Sequence, residues 1–167
     1  MKKLSYVQLE PASGELLTVA EAIWRRFITE VNENDGIFES DDDISSGFAK
    51  RVAIQGSRSD MHFELVFDND TAVGIAMFAV DTGTVYGLLE RGLGTVMGFY
   101  VCPEYRRRGI GTAIWNHAEA VLLADGAVGF YVVPDLVTGV PFWESLGFEN
   151  SGILDPDDKK LIYVKKK

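Results

Sequence analysis

The sequence has a single cysteine, Cys102, in 167 residues. One thiol excludes an intramolecular disulfide and any cysteine-built metal cluster. Histidine is scarce too: His62 and His117 stand far apart, which argues against a zinc site. No stretch approaches the roughly 18 apolar residues of a membrane span. Basic residues are the minority, 16 Lys and Arg against 25 Asp and Glu, for a formal charge of −9. That balance argues against nucleic acid, whose binders normally show a basic face, and against an anionic membrane surface. The start, Met1 to Glu10, is basic but lacks the apolar run of a signal peptide, so a cytoplasmic location is expected. Pro/Ser-rich linkers, low-complexity tracts and internal repeats are missing as well. What remains, 47% hydrophobic and 25% charged, is an ordinary globular composition. At this length, residues 1–167 are expected to form one domain.

Hydrophobic periodicity orders the chain. Leu4 to Leu9 reads as a strand. Thr18-Val19-Ala20-Glu21 carries the capping-box pattern, and Ile23, Trp24, Phe27, Ile28 and Val31 recur at helical spacing, predicting a helix over about 19–33. Asp41 to Gln55 reads as a second helix, with Gly56 placed to stop it. Phe63, Leu65 and Phe67 alternate as in a strand, Asp68-Asn69-Asp70 signals a turn, and Thr71 to Val80 returns. Residues 81–94 are Gly-rich and read as a loop or short hairpin. Thr95 to Val101 is a strand. Gly109 to Ala124 is the clearest helix, stopped by Asp125-Gly126. Val128 to Val133 reads as a short strand buried on both faces and parallel to its neighbour. Pro141 to Leu146 is a short helix closed by Gly147, followed by strands at about 148–154 and 160–165. The order β-α-α-β-β-β-α-β-α-β-β predicts a mixed sheet covered by helices.

The chemistry concentrates in Phe99-Tyr100-Val101-Cys102-Pro103-Glu104-Tyr105-Arg106-Arg107-Arg108-Gly109-Ile110-Gly111-Thr112. A strand ends, a basic turn follows, and a long helix begins. The first amides of a helix have no intrahelical partner and point outward with the positive end of the dipole. Gly109 and Gly111 remove side chains where a ligand would touch backbone, and the arginines add charge, which together suit a pyrophosphate. The Gly-Lys-Ser/Thr of a P-loop is missing, and the two glycines are wrongly spaced for a dinucleotide fingerprint. On spacing alone, a tight turn with solvated arginines remains open.

Arg106-x-x-Gly109-x-Gly111, after a strand ending Val101-x-Pro103-Glu104-Tyr105, resembles motif A of the GNAT superfamily of acyl-CoA-dependent N-acyltransferases. Phe142-Trp143-Glu144-Ser145-Leu146-Gly147-Phe148 resembles the family's short helix and the Gly-Phe after it. The element order fits as well. The resemblance implies an α/β (α+β) fold: a mixed, mostly antiparallel sheet with two splayed central parallel strands, flanked by about four helices. It implies acetyl-CoA as co-substrate, held between the strands at about 95–101 and 128–133. The backbone of Phe99 and Val101 would pair with the pantetheine arm. The amides of Arg107, Arg108, Gly109, Ile110, Gly111 and Thr112 would hold the pyrophosphate, with Arg106 or Arg108 reaching a phosphate. Tyr100 and Trp143 are counted with this coenzyme site. No metal is implied.

The departures are informative. Many members place a general-acid tyrosine where this chain has Trp143, and indole has no acidic proton. Either the thiolate leaves unassisted, or Tyr131 or Tyr100 serves. Asp135-Leu136 stands where many members carry asparagine. Gly94-Thr95-Val96-Met97 offers no glutamate base, so Glu90 is the nearest acid and the candidate base. Glu104 reads as a solvated turn residue, Cys102 and His62 as structural, and His117 as a core or edge residue.

Glu30, Glu33, Asp35, Glu39, Asp41, Asp42 and Asp43 run without an intervening Lys or Arg. They read as solvated helix ends or as an acidic mouth that attracts cationic amines. Two functions follow. One is acetyl transfer to a primary amine of a small molecule or peptide, cationic amines included. The other is a non-catalytic acyl-CoA sensor with a degenerate fold. The last strands are compatible with a homodimer.

Overall fold

The central strands are apolar and buried at nearly every position, so both faces of the sheet require covering helices. The computed structural model describes residues 3–83, 91–157 and 159–167. Among these the order is β1 (Leu4–Gln8), α1 (Glu15–Asp35), α2 (Asp41–Ser57), β2 (Met61–Asp68), β3 (Thr71–Val80), β4 (Leu93–Val101), α3 (Ile110–Ala124), β5 (Gly129–Val132), α4 (Gly139–Ser145), β6 (Glu149–Leu154) and β7 (Leu161–Lys166). The strands form one mixed sheet ordered β1-β2-β3-β4-β5-β7-β6. Among the described strands, only the β4–β5 neighbours run parallel. Among the described residues, no helix is long and apolar enough to cross a membrane.

The two faces hold separate cores. Ile114, Trp115 and Leu122 of α3 pack with Phe78, Phe130, Trp143 and Phe148 on one side. Trp24 of α1 and Phe48 of α2 pack with Phe63, Leu65, Ile75, Met77 and Tyr100 on the other. Burying each of these large side chains is worth about 1.5–3 kcal/mol. All four residues of β5 are buried, as a central parallel strand requires.

The expected capping box does not open α1. The helix starts a turn earlier, at Glu15, after Gly14 with φ 61° and no side-chain cap. Leu16 and Leu17 pack against the α1–α2 core, and that burial outweighs the local signal. Glu21 turns instead to α2 and accepts a 2.6 Å hydrogen bond from Ser45 Oγ. Helix α2 is capped by Ser40, whose Oγ accepts from the Asp43 amide, and it runs past Gly56 to Ser57. Of the Gly-rich stretch 81–94, residues 84–90 lie outside the described residues, while Leu93 and Gly94 belong to β4.

The parallel pair is short. β4 and β5 pair from Leu93 opposite Gly129 to Val96 opposite Val132. There β5 ends, while β4 runs on to Val101 beside β3. The divergence coincides with a bulge. Met77 faces Gly98 and Phe78 faces Val96, leaving Met97 as the extra residue. A bulge of this kind bends its strand and sharpens the local twist.

Candidate functional site

The divergence of β4 from β5 opens a cavity of about 400 Å³. Strand β4 supplies Phe99, Tyr100 and Val101, the turn after it Arg106 and Arg107, and α3 Gly111. Phe142 and Trp143 of α4, the 135–139 loop, and Phe27, Glu30 and Val31 of α1 complete the wall. Cys102 donates its amide to the Val73 carbonyl on the β3 side. Strand alternation therefore turns the backbone of Phe99 and Val101 to the open side. The Val101 carbonyl is already engaged there, accepting from Arg106 Nε at 2.8 Å.

The turn is shaped by backbone geometry. Arg107 (φ 61°) and Gly109 (φ 78°) lie in the left-handed region on either side of Arg108. Alternation of this kind gathers successive amides into a concavity suited to an anion. Gly109 then caps α3, with open space where its Cβ would stand. At Gly111 a Cβ would lie 3.1 Å from the Phe142 ring, so this glycine also lets α4 approach α3. Arg107 has no hydrogen-bond or ion-pair partner among the described residues and faces the cavity. Arg108 lies over the Tyr105 ring, and Ile110 is buried in the core. Neither they nor Thr112 line the cavity.

Arg106 is committed inside the protein. Its guanidinium makes a bidentate pair with Glu30 at 2.8 and 2.7 Å and lies over the Tyr100 ring. The hydrogen bonds to Glu30 hold Arg106 above its usual pKa. Tyr100 donates its hydroxyl to Glu30 Oε2 at 3.2 Å. Burial first, and then the Glu30 charge, push Tyr100 up to about 12. Asp135 is also occupied. Its Oδ1 accepts from the Val137 and Thr138 amides and from Asn34 Nδ2 of α1.

The remaining sequence candidates fall elsewhere. Tyr131 is buried beneath the sheet surface, donates its hydroxyl to Asp81 Oδ2 at 3.0 Å and does not line the cavity. Glu90 lies outside the described residues. Glu104 is exposed and paired with Arg26, whose hydrogen bond lowers it to about 2. Cys102 is buried, and burial raises its thiol pKa. Trp143 packs edge-on against Phe99 and Trp115. His117 bonds Glu64 and stacks on Tyr6, and His62 bonds Gln8 and Asp125; both join strands to neighbouring elements. Among the described residues, no group of three His, Cys, Asp or Glu side chains could hold a metal.

Glu30 and Asp135 are singled out in the sequence, but the α1 face and the 135–139 loop as a whole are not among the expected cavity walls. The signal is present in Phe27, Glu30, Val31 and Asn34, which share one face at i, i+3, i+4 and i+7. The acidic stretch is largely spent on internal partners. Glu30 meets Arg106, Asp35 meets Lys160, Glu39 accepts from Asn32, and Asp41 meets Arg25.

Residues 19–148 match the Acetyltransferase (GNAT) family. No curated protein matches the sequence. Among solved structures, the chain resembles the PaiA N-acetyltransferase from Thermoplasma acidophilum in complex with coenzyme A. That likeness has 20% identity, 99% coverage of both chains and a TM-score of 0.66. An acetyltransferase from Thermus thermophilus matches at 15% identity and TM-score 0.73, covering 99% of this chain and 97% of the other. The ribosomal-protein-S18-alanine N-acetyltransferase from Escherichia coli matches at 17% and 0.63, covering 98% and 94%. These likenesses carry the fold. The family match spans most of the chain, from α1 through the splayed strands to Phe148, and places this protein in the acetyltransferase (GNAT) family.

Proposed function

We propose that residues 1–167 act as one acetyl-CoA-dependent N-acetyltransferase that acylates a primary amine. The observation that carries this reading is the open edge of β4 beyond Val96, which faces the cavity and leads to the left-handed turn and the start of α3. Acetyl-CoA supplies an activated thioester as co-substrate. In this reading the backbone of Phe99 and the Val101 amide hold an extended arm along the free edge. The turn amides from Arg107 to Thr112 and the unpaired Arg107 side chain hold its pyrophosphate. Trp143 and Phe142 close the α4 side.

In the transfer, the amine nitrogen attacks the thioester carbon, the C–S bond breaks with its electron pair on sulfur, and an acetamide forms. The amine must arrive neutral, so it gives up a proton before or during attack. The cavity carboxylates Glu30 and Asp135 already accept several hydrogen bonds each, so water carries that proton, with Glu90 kept as candidate base. Backbone amides on the free edge of β4 are the donors available to the developing oxyanion. A thiol ionises near 8.5, well below Tyr100 at about 12. Tyr100, whose hydroxyl already donates to Glu30, keeps its proton, and the thiolate takes its proton from water. Tyr131, held by Asp81, takes no part.

A second reading, a non-catalytic acyl-CoA sensor, is favoured by Trp143 in place of an acidic side chain and by the commitment of both cavity carboxylates. Incubation with acetyl-CoA and a panel of amines, followed by thiol release, separates the two. Thiol release dependent on the amine supports transfer. Tight binding of acetyl-CoA by calorimetry, with no release across the panel, assigns the sensor.

A further inference from the structure

Resting on the acetyltransferase reading, we propose that the acceptor carries an apolar group beside its amine, and that Ile37, Phe38, Leu136 and Val137 receive it. Of the eight large hydrophobic side chains exposed among the described residues, these four fall on two segments, the end of α1 and the 135–139 loop, and α1 and that loop both supply cavity wall. Phe38 is 90% exposed, Leu136 65%, Val137 58% and Ile37 53%. Val137 is both exposed and part of the cavity wall, so the 135–139 loop carries apolar surface into the cavity.

The placement follows from the ties at the end of α1. Phe27, Glu30 and Val31 of this helix line the cavity. One turn on, Asn34 bonds Asp135 at 3.4 Å, and Asp35 pairs with Lys160. Gly36 ends the helix in the left-handed conformation, and Ile37 donates its amide back to Asn32. These bonds hold Ile37 and Phe38 at the helix end that is tied to the loop bearing Leu136 and Val137. Folding leaves such a patch exposed at a cost in apolar hydration, and exposed patches of this kind mark binding grooves.

The charges point the same way. The carboxylates expected to attract a polycation are occupied at Glu30, Asp35, Glu39 and Asp41. Glu33 on α1 and Asp42 and Asp43 at the start of α2 have no basic partner among the described residues, so negative charge remains beside the apolar side chains. An ammonium attached to an apolar body matches both the exposed apolar side chains and this remaining negative charge.

The test compares leucinamide with glycinamide, which share the same amine and differ in the side chain. With the full chain and acetyl-CoA, kcat/KM for leucinamide is expected to exceed that for glycinamide by about tenfold, the scale of discrimination by a few methylenes. In Phe38→Ser and Leu136→Ser the ratio falls below about threefold. Both side chains are exposed, so folding survives the changes. Equal rates in the wild type, or a ratio unchanged in both variants, overturn the proposal. The same two amides are titrated into the protein saturated with CoA and followed by NMR. Preferential leucinamide binding lost in the variants, without turnover, sustains the apolar rim while rejecting acetyl transfer. Equal binding of the two amides rejects the rim itself. Light scattering closes the alternative: a wild-type dimer that Phe38→Ser dissociates assigns the patch to a second copy and overturns the proposal.

Discussion

Strand β4 is approached by helices from both faces, and the two approaches are built differently. On the α3–α4 side the wall is aromatic and close in sequence. Phe99, Phe142, Trp143, Trp115 and Phe148 interlock with ring centroids 5.0–5.5 Å apart. On the α1 side the wall next to the turn is polar and assembled over long separations, by Glu30 with Arg106 and Tyr100, Arg26 with Glu104, and Asn34 with Asp135. Packing fixes the first wall without regard to charge. The second depends on ion pairs that single substitutions undo. In the proposed reading, the wall against α3 and α4 serves the constant coenzyme, and the α1 wall is the one that differs between acceptors.

The strongest test of that contrast is at Gly109. Gly109→Glu adds a carboxylate at the helix start and is expected to weaken CoA binding on the order of a hundredfold, since like charges in contact cost several kcal/mol. Gly109→Ala separates charge from backbone. The site has space for a Cβ, so only the left-handed conformation costs, about 1–2 kcal/mol of stability. Calorimetric affinity and urea unfolding of both variants check this. Equal affinity in Gly109→Glu and wild type would remove the phosphate from this turn.

On the opposite wall, Glu30→Ala leaves the Arg106 guanidinium without its acid. A loss of about 2 kcal/mol in unfolding free energy is expected, the scale of hydrogen bonds to charged groups. CoA affinity is expected to move much less than in Gly109→Glu. If affinity falls as far, the two walls are one device. Gly111→Ala is milder. Its Cβ meets the Phe142 ring at 3.1 Å, and overpacking of one methyl costs about 1 kcal/mol. Urea unfolding of this variant, read beside Glu30→Ala, checks the ranking.

The smallest effect is in pH. Tyr100 is raised to about 12 in the folded protein, above the ordinary value near 10. The unfolded chain therefore loses this proton first. The contribution of Tyr100 is complete below pH 10 and disappears as pH rises through about 12. Tyr100→Phe is expected to flatten the fall of unfolding free energy in that window, and an unchanged alkaline limb would reject the assignment.

The same contrast explains what can be read in advance. Elements appear in the expected order because their signals are local: alternation in β2 and β3, the apolar face of α3, Asp125-Gly126 after it. Phe99, Tyr100, Val101, Arg106, Arg107 and Gly111 meet in one cavity because strand, turn and helix are consecutive, and Trp143 joins them from α4. The start of α1 escapes a local reading because burial of Leu16 and Leu17 is a tertiary fact. The Glu30–Arg106 pair, 76 residues apart, leaves no trace in either local pattern. Composition shows seven acids between 30 and 43 but cannot show that five have hydrogen-bond or ion-pair partners within the chain.

The Met97 bulge and the early end of β5 leave a strand edge uncovered in the middle of the sheet rather than at its margin. Edges elsewhere invite other chains to add on, and proteins ordinarily cover or charge them. Here α1 and α4 line the two sides of the gap, and the cavity between them measures about 400 Å³. The sheet is in this sense one strand short, and whatever fills the gap contributes to folding as well as to chemistry. Stability then becomes a function of ligand concentration, rising with RT ln(1 + [L]/Kd). The melting temperature of this protein should track the supply of its guest.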